Sequence, residues 1–332
     1  PLVRISRQYQ KNGLRTPRLP ILIYSAGSIV MSVRVFNLIF FMTFLLSFPL
    51  SAHATKTTIP YKAMTLNGNL QMAEGKSLED GIILITHGTL AHNKMEIIAT
   101  LQGLLTERGF NTLAINLSLG VDNRHGMYDC AVTHTHRHTD AVHEIAAWVT
   151  WLKKQGGHKI LLAGHSRGGN QTARYMVESK VPKVLGAALI APSLWNKEAA
   201  ANSYKDRYKV SLTSLLGKMN RAIVGKKEDT IFDKLGFIYC PESTVTAASF
   251  ISYYGEDKFL DTPTVLVRVK LPVLVIAGSQ DTIVKGLPER MVGVVNQKIK
   301  LWVVDGAGHF FLDFYIEDAV DQIADFAGEL LK

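Results

Sequence analysis

Three residues stand in an order and spacing that could break an acyl bond. Residues 159–169 read Lys-Ile-Leu-Leu-Ala-Gly-His-Ser-Arg-Gly-Gly. That is an apolar run, then Gly164-His165-Ser166-Arg167-Gly168, then the start of a helical pattern. A serine set between two glycines at a strand-to-helix turn forms a nucleophile elbow. The turn is so tight that a Cβ at Gly164 or Gly168 would clash, and it holds Ser166 in a strained conformation with Oγ projecting from the sheet edge. A serine hydroxyl is a poor nucleophile until a base takes its proton, and the base must be oriented by an acid. Downstream, the stretch Val-Leu-Val-Ile-Ala-Gly-Ser-Gln-Asp places Asp281 just past an apolar strand. The stretch Leu-Trp-Val-Val-Asp-Gly-Ala-Gly-His places His309 just past the next one. All three side chains are then expected at one edge of one sheet, in the chain order Ser, Asp, His that suits this chemistry. A tetrahedral oxyanion needs two N–H donors. The Arg167 amide, at a helix start where free N–H groups and the helix dipole favour negative charge, is one. The loop after the apolar strand at 82–86 is expected to supply the other.

The elements that position these residues alternate. Apolar strands are expected at 81–86, 112–117, 159–163, 184–190, 273–277 and 300–304. Amphipathic helices are expected at 95–108, 140–154, 167–180, 288–295 and 312–331. Strands that are apolar throughout and separated by helices predict an α/β fold, with a mostly parallel sheet covered on both faces. A hairpin is expected before it, over 57–66 and 70–73, turning at Asn67-Gly68. Residues 193–269 break the rhythm, being richer in Lys, Tyr and Ser. They read as a mainly helical, lid-like insertion over the C-terminal edge of the sheet, where ligands bind in open α/β sheets.

From about residue 58 to the C-terminus the sequence resembles the α/β-hydrolase family. The resemblance rests on the Gly164–Gly168 elbow, Asp281 and His309, each after a strand and in the family's order. It implies a central sheet of about eight strands, Ser166 as nucleophile, His309 as general base and then acid, and Asp281 orienting His309. It also implies no metal and no organic cofactor. The family's His-Gly pattern falls on His87-Gly88, which implies Thr89 as the second oxyanion donor; His87 then braces the loop. The expected activity is cleavage of an ester or related acyl bond in a small-molecule substrate. Two other classes share the scaffold: a non-catalytic binding protein, against which the intact Ser166, Asp281 and His309 stand, and a cofactor-free lyase or haloperoxidase-like enzyme.

Other features leave more than one use open. His134-Thr-His136-Arg-His138, with His125 and His143, holds five of the eleven histidines. These rings can line or gate a substrate pocket, make structural hydrogen bonds, or ligate a metal, although no familiar zinc spacing is present. His87 and His165 are further pocket candidates by position. Arg167 beside the nucleophile either favours an anionic substrate or points to solvent or to an acid. Tyrosines and Trp195 in the insertion either line an acyl pocket or pack against the main domain.

The chain has 332 residues, 37 basic and 28 acidic, a formal net charge of +9. Six of the basic residues and none of the acidic ones lie before residue 55, leaving 31 against 28 in residues 55–332. That balance calls for no nucleic-acid partner. The first 54 residues read as a leader. Arg34 precedes an apolar run from Val35 to Leu46, and Ala52-His53-Ala54 is a small-x-small cleavage signal. This pattern predicts a secretory signal peptide over 31–54, preceded by an upstream extension, with Met31 as initiator and cleavage after Ala54. The expected location is periplasmic or secreted, with membrane contact only in transit through the signal peptide. In an oxidising compartment Cys130 and Cys240 either form one bridge or stand as separate buried thiols.

Overall fold

The computed structural model describes residues 54–179 and 184–332. The expected leader, but for Ala54 itself, lies outside them. Five strands are buried at every residue: β3 (Ile82–Thr86), β4 (Asn111–Asn116), β5 (Ile160–His165), β6 (Gly186–Ile190) and β9 (Val273–Gly278). Total burial is what continuous apolar runs require when helices cover both faces. With β1 (Thr55–Tyr61), β2 (Met64–Gln71) and β10 (Ile299–Val304) they form an eight-stranded sheet ordered β1-β2-β4-β3-β5-β6-β9-β10. The β1–β2 and β2–β4 pairs are antiparallel and all others parallel.

Side chains alternate across the sheet, so each strand feeds two cores. Ile83, Ile85, Leu161 and Ala163 pack against α1 (Glu96–Glu107) and α9 (Tyr315–Leu330), through Ile98, Leu101, Leu105, Val320 and Ile323. Ile82, Leu84, Leu113 and Leu162 face the other way. They meet α2 (Asp140–Lys154) through Val142, Ile145, Val149 and Leu152, whose spacing of three and four residues puts them on one helix stripe. The helix that follows β5, α3 (Arg167–Glu178), lies on this side too.

The hairpin forms, but its turn falls at Lys62-Ala63, where Lys62 takes φ 53°, and not at Asn67-Gly68. Those two residues sit inside β2 for reasons of packing. A Cβ on Gly68 would lie 3.0 Å from Leu113 and 3.2 Å from Trp148. The buried Asn67 amide donates to the Arg124 carbonyl at 2.8 Å. A glycine in a strand marks such a close approach.

The 193–269 segment is less helical than expected. Helices α4 (Lys197–Tyr208), α5 (Leu212–Val224), α6 (Ala247–Tyr254) and α7 (Thr262–Leu266) are joined by an antiparallel hairpin of β7 (Ile231–Phe237) and β8 (Cys240–Thr246). Five of its fourteen strand residues are exposed and they do not alternate with buried ones, so it lacks the apolar periodicity that betrays a strand. The loop after β4 reaches it: the His134 amide donates to Thr244 O at 2.8 Å and its carbonyl accepts from Thr246 N at 3.0 Å. Cys130 and Cys240 are disulfide-bonded beside this bridge, with Cα atoms 5.4 Å apart. The last short helix, α8 (Leu287–Val292), precedes β10.

Candidate active site

Ser166 follows β5 directly and has φ 55° and ψ −121°, a region that L residues avoid. Surrounding bonds hold the strain: its amide donates to Ile190 O at 2.9 Å, and its carbonyl accepts from Gly169 N at 3.0 Å and Ser193 N at 3.1 Å. The flanking glycines are sterically required. A Cβ on Gly164 would stand 2.6 Å from Gly168 O, and one on Gly168 would stand 2.2 Å from His87 O.

Asp281 and His309 come to the same edge from the ends of β9 and β10. One Asp281 oxygen accepts from the Ile283 and Val284 amides at 2.7 and 2.8 Å. The other faces His309 Nδ1 at 2.8 Å. A carboxylate can only accept, so Nδ1 carries the proton and Nε2 presents its lone pair to Ser166 Oγ at 3.0 Å. The His309 and Asp281 side chains are only 5% and 4% exposed. Burial pushes the Asp281 carboxyl up, but the hydrogen bonds from His309, Val284 and Ile283 outweigh it and leave the pKa below the usual carboxylate value.

Thr89, Ser166 and Arg167 line one cleft of about 710 Å³. Arg167 is the first residue of α3, so its N–H is among those with no acceptor within the helix. Gly88 lies against the elbow: a Cβ there would be 3.3 Å from Ser166 Cβ. The buried His87 ring fixes the next peptide. Its Nε2 meets two obligatory donors, Leu117 N at 3.1 Å and Arg124 Nη2 at 3.0 Å. The proton therefore sits on Nδ1 and is donated to Gly88 O at 2.8 Å. In a trans peptide C=O and N–H point opposite ways, so this bond turns the Thr89 N–H away from the buried ring. Burial and then the Arg124 charge lower the His87 pKa to about 3.

Of the expected pocket histidines, none lines this cleft. His165 is the last residue of a buried strand; its ring lies tilted against that of His309, 4.8 Å between centroids, and Nε2 donates to His309 O at 3.0 Å. Burial lowers its pKa to about 4. His134, His136 and His138 are all buried where the loop after β4 meets the hairpin and α6. His134 Nδ1 and His136 Nε2 are 3.1 Å apart, and His136 Nδ1 is 2.8 Å from Tyr253 Oη. His138 packs edge-on against the same tyrosine. Among the described residues no group of three His, Cys, Asp or Glu has metal-binding geometry.

Two residues at the site were not singled out as partners by spacing alone. Arg124 braces His87, Asn116 and Ala91 O from inside a loop. Tyr253 lies under the Arg167 guanidinium, 5.1 Å from ring centre to guanidinium carbon. The contacts to His87, Ala91 and Tyr253 cross dozens of residues of chain, and no local pattern signals them.

Among solved structures the fold is similar to Est1E from Butyrivibrio proteoclasticus, with a TM-score of 0.57 at 20% identity over 83% of this chain and 98% of that one. It is similar to the Pyrococcus furiosus esterase Pf2001, with a TM-score of 0.56 at 19% identity over 85% and 93%. It is also similar to a dienelactone hydrolase from Anabaena variabilis, with a TM-score of 0.52 at 16% identity over 85% and 99%. No curated protein matches it in sequence. The family model described as the alpha/beta hydrolase family matches residues 82–326. With the eight-stranded sheet and the strained turn at its edge, that match makes this chain a member of the alpha/beta hydrolase family.

Proposed function

We propose that the protein is a serine hydrolase that cleaves an ester or related acyl bond through an acyl-enzyme. The observation that carries this reading is the unbroken run of hydrogen bonds from Ser166 Oγ to His309 Nε2 and from His309 Nδ1 to Asp281. His309 takes the Oγ proton as Ser166 attacks the carbonyl carbon. The negative charge on the carbonyl oxygen is received by the Arg167 and Thr89 amides. His309 then gives its proton to the leaving alcohol or thiol, and water repeats the sequence on the acyl-enzyme. Loss of one oxyanion donor typically costs about 100- to 1000-fold in rate. Esterases among the structural neighbours are consistent with the ester assignment.

The 193–269 segment supplies much of the cleft wall, through residues such as Trp195, Ala199 and Tyr239. We assign it the role of selecting the acyl group. Export to an oxidising compartment belongs to the same proposal, and the Cys130–Cys240 bond supports it.

A fluorophosphonate probe and short p-nitrophenyl esters test the reaction. The wild-type protein is expected to be labelled and to release p-nitrophenol. Ser166→Ala is expected to do neither while unfolding at an unchanged denaturant midpoint. Undiminished labelling of that variant would remove Ser166 from the mechanism.

A further inference from the structure

Beside the cleft at Ser166 lies a second hollow of about 540 Å³ that shares Arg167, Trp195, Tyr239 and Ile283 with it. Among the described residues its charged lining residues are Arg167 and Arg207, with no acidic one. Six of its lining residues are aromatic, including Trp195, Tyr208 and Tyr254. Among the described residues neither arginine is ion-paired, whereas Arg174 and Arg290 meet carboxylates at 2.7 and 2.8 Å.

Both guanidinium groups are held in place. Arg167 Nε donates to Thr89 Oγ1 at 2.9 Å, and the group rests on Tyr253. Tyr253 is itself buried and fixed through its hydroxyl to His136. Arg207 lies over the ring of Tyr239 at 4.2 Å. On Arg167 the Nε contact leaves the two terminal nitrogens, whose planar fork matches the two oxygens of a carboxylate. A half-buried cation without a counter-ion, next to the nucleophile, is a costly arrangement that an anionic ligand relieves.

We propose that this hollow binds a carboxylate on a flat, apolar part of the substrate, with Arg167 receiving the charge, Arg207 adding to the field, and the aromatic wall taking the ring or chain that carries it. The inference rests on the serine-hydrolase reading above and names its substrate class: an ester of, or to, an aromatic or similarly planar acid. A long neutral acyl chain would instead have to lie against the two guanidinium groups.

Two matched pairs of substrates test it. The first sets the mono-4-nitrophenyl ester of terephthalic acid against 4-nitrophenyl 4-methylbenzoate, placing a carboxylate or a methyl on the acyl ring. The second sets 4-carboxyphenyl benzoate against 4-methylphenyl benzoate, making the same change on the alcohol. The wild-type enzyme is expected to favour the carboxylate member of one pair by about 10- to 100-fold in kcat/KM, the worth of a charge-assisted contact. In Arg167→Gln that ratio falls towards one, and in Arg207→Gln it falls part of the way. Rising salt shrinks it in the wild type. The readout is the ratio, because Arg167→Gln also alters the residue whose amide faces the oxyanion. Equal rates within both pairs, or a ratio untouched by both substitutions, would overturn the carboxylate site and leave the hydrolase intact. Failure of every ester together with no fluorophosphonate labelling would instead remove the hydrolase reading itself.

Discussion

In the proposed reaction His87 acts through the Gly88–Thr89 peptide, and its own ring does not line the cleft. Its neutral ring translates the position of Arg124 into the orientation of one peptide, because each bond in the series admits only one donor. Removing the ring leaves the Gly88 carbonyl unanchored and the Thr89 N–H free to rotate out of line. His87→Leu is therefore expected to lower kcat by about 10- to 100-fold, the lower part of the range for a lost oxyanion donor, with KM changed little. A fall confined to KM would show that the loop shapes binding and not the transition state. This fits a positioning residue and explains why the histidine's own chemistry is suppressed: burial beside a guanidinium holds it unprotonated at any working pH.

At the scale of elements, the Cys130–Cys240 bond and the His134 bridge join the loop after β4 to the β7–β8 hairpin. The bonded cysteines are 110 residues apart in sequence. On the chain-entropy account, closing a loop of about 100 residues is worth about 4–5 kcal/mol, with less delivered where the open chain keeps structure. The double variant Cys130→Ser, Cys240→Ser is expected to lose about 2–5 kcal/mol, read from urea unfolding. It should also weaken any acyl-chain preference, since the hairpin carries Tyr239 into the cleft wall. This part of the molecule was the least legible. The core strands announce themselves by unbroken apolar runs and the helices by spacing, as α2 does with Val142, Ile145, Val149 and Leu152. Neither signal exists in β7 or β8, where exposed Asp233, Lys234 and Glu242 interrupt the pattern. Asn67-Gly68 failed differently. Its turn chemistry is real, but Trp148 packs on Gly68 and overrides it.

Across the whole molecule, five buried histidines set the response to acid. Burial lowers the pKa of His87 to about 3 and of His134 and His165 to about 4, and holds His136 and His138 well below 6.5. Each binds a proton readily once unfolded and resists it when folded, so its contribution to stability is present above pH 6.5 and is lost as pH falls towards the folded values. Glu144 runs the other way. Burial raises it to about 7 despite the bonds from Ser118, so its contribution is full below pH 4.5 and fades as pH rises through 7. Five groups outweigh one between pH 6.5 and 4.5, where the unfolded chain takes up several more protons than the folded one. The urea midpoint is expected to be clearly lower at pH 5.5 than at pH 7.5; an unchanged midpoint would mean that these rings are already charged in the fold. The meeting of Ser166, Asp281 and His309 at one sheet edge was legible across the same molecule because each follows a strand that periodicity marks. The supporting residues were not, because Arg124 and Tyr253 reach the site through tertiary folding alone.

The 193–269 segment leaves the sheet after β6 and returns at β9, its parallel neighbour, with Ala187 beside Val273. Departure and return are thus adjacent, and the strands between them pair as if joined by an ordinary crossover. The sheet that carries Ser166, Asp281 and His309 and the segment proposed to select the acyl group are in that sense separately inheritable. On the proposed function, a lineage can exchange the wall for another and change its diet while the sheet edge that holds the nucleophile passes on unaltered.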